Sequence, residues 1–149
     1  MRSSNIPAIY HHQHTVTPAE IDLLGHVNNL DYIRWMLAAA VAHSDAQGWT
    51  TAAHLQAGCG WVVRSHQIEY LSPAFVGEKI VVRTWVAEMK KVTSLRRYEI
   101  RRESDDALLA AAATSWAFID FASGVPKRIP TEVAEAFEVV SPDGDGGGG

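Results

Sequence analysis

The sequence predicts an α+β fold: an antiparallel five-stranded sheet wrapped around one long central helix. Three observations predict it. Residues 29–47 carry apolar side chains around almost the whole helical circumference, the pattern of a helix covered on all sides. Residues 61–121 break into four runs rich in β-branched and aromatic residues, separated by turn punctuation. One more extended run precedes the helix and a short helical segment closes the chain, so strands and helices segregate as in α+β architectures.

Tyr10 to Val16 alternates His and Gln with smaller residues and is read as the first strand. Pro18 and Glu20 then open a loop that Asp22 to Asn28 extend. From Asn29 to Gln47 the reading is helix. Leu30, Ile33, Leu37 and Val41 fall at helical spacing, and Tyr32, Trp35, Met36 and Ala39 fill a second face. Only Asp31, Arg34, His43 and Asp45 interrupt the apolar surface, and Ala38, Ala39, Ala40 and Ala42 permit close packing. Asn28 is the expected N-cap and Gly48 the stop signal. The length should be about 28 Å, at ~1.5 Å per residue.

Trp61 to Leu71 is the next strand, closed by Ser72-Pro73 and Gly77. Ile80, Val82, Thr84 and Val86 mark another, and Lys90-Lys91 the turn after it. Leu95 to Arg102 is strongly charged, so one of its faces should meet water. Asp105-Asp106 is a tight turn. In Leu108 to Phe121 the run Ala110 to Ala113 favours helix. Trp116, Phe118, Ile119 and Phe121, with the preceding turn, decide for strand, whose small residues can face a closely packed helix. Thr131 to Phe137 reads as a short helix with Thr131 as N-cap.

A chain of 149 residues suggests one domain over 1–140, followed by a Gly/Asp-rich tail at 141–149 expected to be disordered. At 47% hydrophobic and 20% charged, the composition is that of a globular protein. A net charge of −4 excludes a general nucleic-acid binder, which needs a basic surface. No run approaches the ~20 apolar residues of a membrane span, and residues 1–10 lack the apolar core of a signal peptide. Cys59 is the only cysteine, so no intrachain disulfide forms and a cytoplasmic location is expected. Flanked by glycines with no base nearby in sequence, it is a poor candidate nucleophile.

The densest chemistry lies at Asp22-Leu23-Leu24-Gly25-His26-Val27-Asn28-Asn29. A carboxylate and several polar groups stand there at the mouth of a helix, where free backbone N–H groups point outward. An electron-rich oxygen such as a thioester carbonyl would be polarised at that place. Asp22 can act as general base or nucleophile, or simply bond neighbouring backbone N–H groups. Gly25 permits a positive φ or a close approach. His26 can bond the Asp22 region or a ligand, and Asn28 can cap the helix or orient water.

His11, His12 and His14 invite a metal reading, with His11 and His14 expected on one strand face. A surface strand is preferred, and no metal is assigned. Trp35, Trp61, Trp85 and Trp116 are candidates for a substrate pocket or for core. Lys90-Lys91 and Lys127-Arg128 are basic pairs that could hold phosphates or lie in solvated loops.

The pattern D-x-x-G-H-V-N-N-x-x-Y, from Asp22 to Tyr32, resembles the signature of the hotdog-fold thioesterases. The branch is the one that includes 4-hydroxybenzoyl-CoA thioesterase and the short acyl-CoA thioesterases. The pattern is also similar to the corresponding stretch of plant acyl-ACP thioesterases. Y-L-S-P-A-F-V-G-E, from Tyr70 to Glu78, matches the second strand and turn of that family, and the resemblance covers about Tyr10 to Phe137. It implies an acyl-CoA thioesterase with Asp22 at the catalytic aspartate position, the Asn29 backbone N–H at the oxyanion position, and Asn28 as a candidate to orient water. His26 is grouped with these. Gly25, Tyr32, Trp35 and Trp61 would contact substrate, and Lys90, Lys91, Lys127 and Arg128 would hold the CoA phosphates. No cofactor is implied. A homodimer or dimer of dimers is, with the site where two subunits meet.

A subfamily with its catalytic Glu on the helix fits less well, because Asn29 to Gly48 contains no Glu. Enoyl-thioester hydration also fits less well, because the hydratase motif is missing. Leu37 stands where many relatives carry a glutamate, which leaves the subfamily open. An acyl-ACP substrate and a non-catalytic acyl-thioester binding module are the alternative readings.

Overall fold

The computed structural model describes residues 7–140, so the tail expected at 141–149 lies outside the described residues. The elements are β1 (Tyr10–Thr15), α1 (Asn29–Ala46), α2 (Thr51–Ala57), β2 (Cys59–Tyr70), β3 (Lys79–Met89), β4 (Thr93–Arg102), β5 (Leu108–Asp120) and α3 (Thr131–Glu135), with a short 3-10 turn at Pro18–Glu20. The strands form one five-stranded sheet in the order β1-β3-β4-β5-β2, and every neighbouring pair is antiparallel. Strands β1 and β2 are its edges.

Helix α1 packs on one face of this sheet. Tyr32, Trp35, Met36, Ala39 and Ala40 meet Ile80, Val82, Tyr98, Ile100, Ala110 and Ala112 in a shared core. The alanine run is therefore strand: Ala110 and Ala112 are buried, while Ala111 and Ala113 are only half-buried on the opposite face. Helix propensity loses here because the strand pairs on both sides with β4 and β2.

Several expectations need correction. Helix α1 is not covered all round in this chain, because the sheet contacts only one side of it. Leu30 is 60% and Val41 47% exposed, and Ile33 and Leu37 are half-buried. Asp31 and His43, expected to break the apolar surface, are buried instead, and Asp31 is paired with Arg34 Nη1 at 2.8 Å.

Helix α2 was not expected. Seven residues show too little periodicity, although Thr50 caps it through Ala53 N–H and Gly58 ends it in the left-handed conformation. Strand β2 accordingly starts at Cys59, before the expected Trp61. Gly60 is required where α2 crosses it, because a Cβ there would stand 2.7 Å from the Phe121 ring and 3.2 Å from His54. In α3 the N-cap is Pro130, and Thr131 is already the first helical residue. In β1 the alternation places His12 and His14 on the inward face and His11 on the other, so His11 and His14 do not share a face.

Candidate functional site

The loop from Ile21 to Asn28 is closed by its own backbone. Ile21 and Val27 form an antiparallel bridge. Asp22 N–H donates to the His26 carbonyl at 2.8 Å, and Gly25 N–H to the Asp22 carbonyl at 3.1 Å. Gly25 sits at φ +83°, which an L side chain rarely adopts, so the turn requires glycine. The Asp22 carboxylate is anchored at one oxygen only. Its Oδ1 accepts from Leu24 N–H at 2.8 Å and His26 N–H at 3.2 Å. Oδ2 has no hydrogen-bond partner among the described residues.

Asn28 ties this loop to α1. Its N–H donates to the Glu20 carbonyl at 2.8 Å, and its Oδ1 accepts from Leu30 N–H at 2.9 Å, a true N-cap. That leaves the Asn28 side-chain NH2 as a donor. Asn29 is the first helical residue, so its N–H has no acceptor within the helix. Its carbonyl accepts from the Tyr70 hydroxyl at 3.2 Å. The His26 ring meets Phe75 edge-on, with centroids 5.9 Å apart.

Glu20 is a residue that sequence reasoning passed over. Its carboxylate receives His14 Nε2 at 2.9 Å, Thr17 N–H at 2.9 Å and Trp35 Nε1 at 2.8 Å. Burial pushes its carboxyl up, but the hydrogen bonds from His14, Thr17 and Trp35 outweigh this and hold it below its ordinary value. The cluster pins the loop entrance to α1. The signal was present as Thr17-x-x-Glu20, a capping-box spacing. His14 is thus committed to a carboxylate, and no group of three or more metal-ligating side chains occurs among the described residues.

The structure separates the remaining candidates. Tyr32 and Trp35 are core residues, 4% and 3% exposed, on the inward side of the start of α1, their rings tilted to each other and Tyr32 edge-on to Tyr70. Trp61 lies toward the other end of the helix, edge-on to Phe118. Together with Trp49 and Trp116 it lines a cavity of about 190 Å³ beside the second half of α1. Trp85 lies on the opposite face of the sheet, in a groove with Arg97 and Glu99.

The two basic pairs, far apart in sequence, come together. Ile129 N–H donates to the Lys91 carbonyl at 2.8 Å, and Lys127 N–H to the Phe118 carbonyl at 2.9 Å, which lays the Lys127-Arg128 segment along the β3–β4 turn. They sit at the Met89 end of β3. The Asp22 loop sits near its Lys79 end, because Val16 N–H, at the entrance to that loop, bonds the Glu78 carbonyl. Eleven strand residues, ~3.4 Å each, separate the two ends by roughly 35 Å. Within one chain, the acid and the basic groups therefore lie at opposite ends of the molecule. No helix among the described residues is long and apolar enough to cross a membrane.

The sequence matches the family model described as the thioesterase-like superfamily over residues 16–137. No curated protein sequence matches at a significant level. Solved structures do. The 1,4-dihydroxy-2-naphthoyl-CoA thioesterase of Synechocystis superposes with a TM-score of 0.80 at 18% identity, covering 86% of this chain and 94% of that one. A putative oleoyl thioesterase from Lactobacillus plantarum gives 0.83 at 25% identity, over 93% of this chain and 54% of that one. The DHNA-CoA thioesterase of Staphylococcus aureus gives 0.76 at 24% identity, over 80% of each chain. At these identities the likeness establishes the fold, a hotdog sheet over its helix.

Proposed function

The chain belongs to the thioesterase-like superfamily, and from that premise we propose that it hydrolyses an acyl-CoA thioester to a carboxylic acid and free CoA. The observation that carries this reading is the Asp22 carboxylate. Two backbone N–H groups hold one oxygen while the other stays free, next to the open N-terminus of α1. A carboxylate so fixed can take a proton from water as it attacks the carbonyl carbon, or attack that carbon itself. The Asn29 N–H and the positive end of the α1 dipole would stabilise the oxyanion. The Asn28 side-chain NH2 would orient water, and Gly25 and His26 would border the thioester. As base, Asp22 passes the proton it took from water to the leaving thiolate, and the acid departs. As nucleophile, it forms a mixed anhydride as the thiolate leaves. Water then hydrolyses that anhydride, freeing the acid and Asp22 and supplying the proton that the thiolate takes up.

The basic groups Lys90, Lys91, Lys127 and Arg128 would hold the CoA phosphates. Because they lie far from Asp22 in one chain, a single substrate is best served by two copies. The exposed apolar face of α1, from Leu30 to Val41, and the β2 edge with Val62 and Val63 37% and 40% exposed, offer the contact. A two-fold axis perpendicular to the sheet would pair β2 with its copy and set the two α1 helices antiparallel. The Asp22 end of one helix then lies beside the basic end of the other. A cytoplasmic location fits the single unpaired Cys59.

The test is a panel of aliphatic and aromatic CoA esters assayed for free thiol, with light scattering on the same sample. Release from at least one ester, by a particle of at least twice the 16.3 kDa chain mass, is expected. Binding without release would identify a non-catalytic module. Release only from protein-bound carriers would move the substrate to acyl-ACP.

A further inference from the structure

Strand β4 carries a cation on its inward face. Ser94, Arg96, Tyr98 and Ile100 alternate toward α1, and Arg96 is 6% exposed. Its Nη1 bonds His43 Nδ1 at 3.0 Å and Thr84 Oγ1 at 3.1 Å, and its guanidinium carbon lies 5.7 Å from the centre of the Phe137 ring. None of these partners is an anion, and no carboxylate pairs with Arg96 among the described residues. Burial lowers its pKa only to about 10, so it stays charged at neutral pH. His43 is neutral there, because burial and the neighbouring Arg96 hold it down to about 4. A buried cation without a counter-ion is unfavourable.

The same guanidinium lines the cavity of about 190 Å³ beside the second half of α1, whose walls include Ala40, Trp49, Leu55, Trp61 and Trp116. That size is comparable to the ~150 Å³ cavity that accommodates benzene in another fold. Both hydrogen bonds of Arg96 use Nη1, and neither uses Nε or Nη2. Those two nitrogens form the edge of the fork that grips a carboxylate through two parallel hydrogen bonds. A tryptophan-walled space with buried Arg96 on its wall, and its one carboxylate, Asp45, exposed to solvent, suits an amphiphile with an apolar body and one negative head.

We propose that this cavity binds the carboxylate of an apolar organic acid, with its oxygens on Nε and Nη2 of Arg96 and its aryl or short alkyl body among Trp49, Trp61 and Trp116. The acid has two possible sources. One is a free monocarboxylic acid of the kind the proposed hydrolysis releases. The other is the distal carboxylate of a dicarboxylic acyl group still on its thioester. Only the second source rests on the thioesterase reading.

The test titrates the full chain with benzoate and hexanoate against benzamide and hexanamide, followed by tryptophan fluorescence and calorimetry. The acids should bind about tenfold or more tighter than the amides, the scale of a charge-assisted pair. Arg96→Met should remove that preference. Since Arg96 is buried, Leu55→Glu provides a second variant. Leu55 is 64% exposed at the rim, and a negative charge there should weaken the acids severalfold while leaving the amides unchanged. Equal affinity of acids and amides in the wild type, or binding of neither at millimolar concentration, overturns the proposal.

Adipoyl-CoA against hexanoyl-CoA then separates the sources. A lower KM for adipoyl-CoA that Leu55→Glu abolishes assigns the distal carboxylate. Equal KM values with tight acid binding assign the free acid. Acid binding with no release from any ester of the aliphatic and aromatic panel supports this site and overturns the hydrolase reading alone.

Discussion

At the N-terminal end of α1, a carboxylate, a histidine and two amides stand in an open loop that its own backbone hydrogen bonds hold in shape. At the C-terminal end, a guanidinium and the neutral His43 are buried, the guanidinium bonded to His43 on α1 and to Thr84 on β3. Asp22 stands before the positive end of the helix dipole and Arg96 near its negative end, a favourable placement for each, although Asp45 in the last turn runs against it. They differ in solvent. At the open end the Asp22 loop is exposed and charge is cheap to hold. At the C-terminal end the Arg96 guanidinium is desolvated, so its attraction for a ligand of opposite sign is strongest. The difference teaches that one helix can present a carboxylate in an exposed loop at one end and a buried guanidinium at the other.

The largest expected effect is at the open end. Asp22→Asn should lower kcat by ~10²–10⁴, the typical contribution of a positioned base, with little change in Tm. The amide oxygen can still accept from Leu24 and His26 N–H. Steady-state thiol release and thermal melts check this together, and unchanged kcat would erase the distinction between the two ends.

The C-terminal end should dominate the pH dependence of stability. His43 has its pKa lowered to about 4, and burial lowers that of His54, on the cavity wall, as well. Below pH 6.5 the unfolded chain takes up protons that the folded chain refuses, so stability is full above that value and falls until pH reaches about 4. Tm should therefore drop by several degrees over that interval, and His43→Gln should flatten part of the slope.

A smaller effect concerns the basic cluster. Replacing Lys90 and Lys91 together by alanine should raise KM for an acyl-CoA severalfold with less change in kcat. A short N-acetylcysteamine thioester, which lacks the phosphates, should be unaffected. Salt should weaken only the CoA substrate, since exposed charges are screened over ~8 Å at physiological ionic strength. Equal losses on both substrates would remove the phosphate role. The smallest effect is Asn28→Ala, which should cost about 1 kcal/mol by denaturant titration, because one cap bond to Leu30 N–H is lost.

The sequence by itself determined what short-range forces decide. The Asp22 loop, the Gly25 turn, the Asn28 cap and the bounds of α1 each rest on hydrogen bonds and sterics within a few residues, and all were legible. The alternation of β3 and the Asp105-Asp106 turn were legible for the same reason. Only the tertiary structure decided which arc of α1 is covered, since that depends on a sheet whose strands are assembled from residues 10 to 120. It exposed Leu30 and Val41 and buried Asp31 and His43, against the reading of a helix wrapped on every side. It also decided which face of the charged strand meets water, turning Arg96 inward, and it brought Lys91 beside Ile129. Hydrophobicity tells a residue that it can be buried. Which side faces the core is settled by partners far away in the chain, and a local pattern carries no record of them.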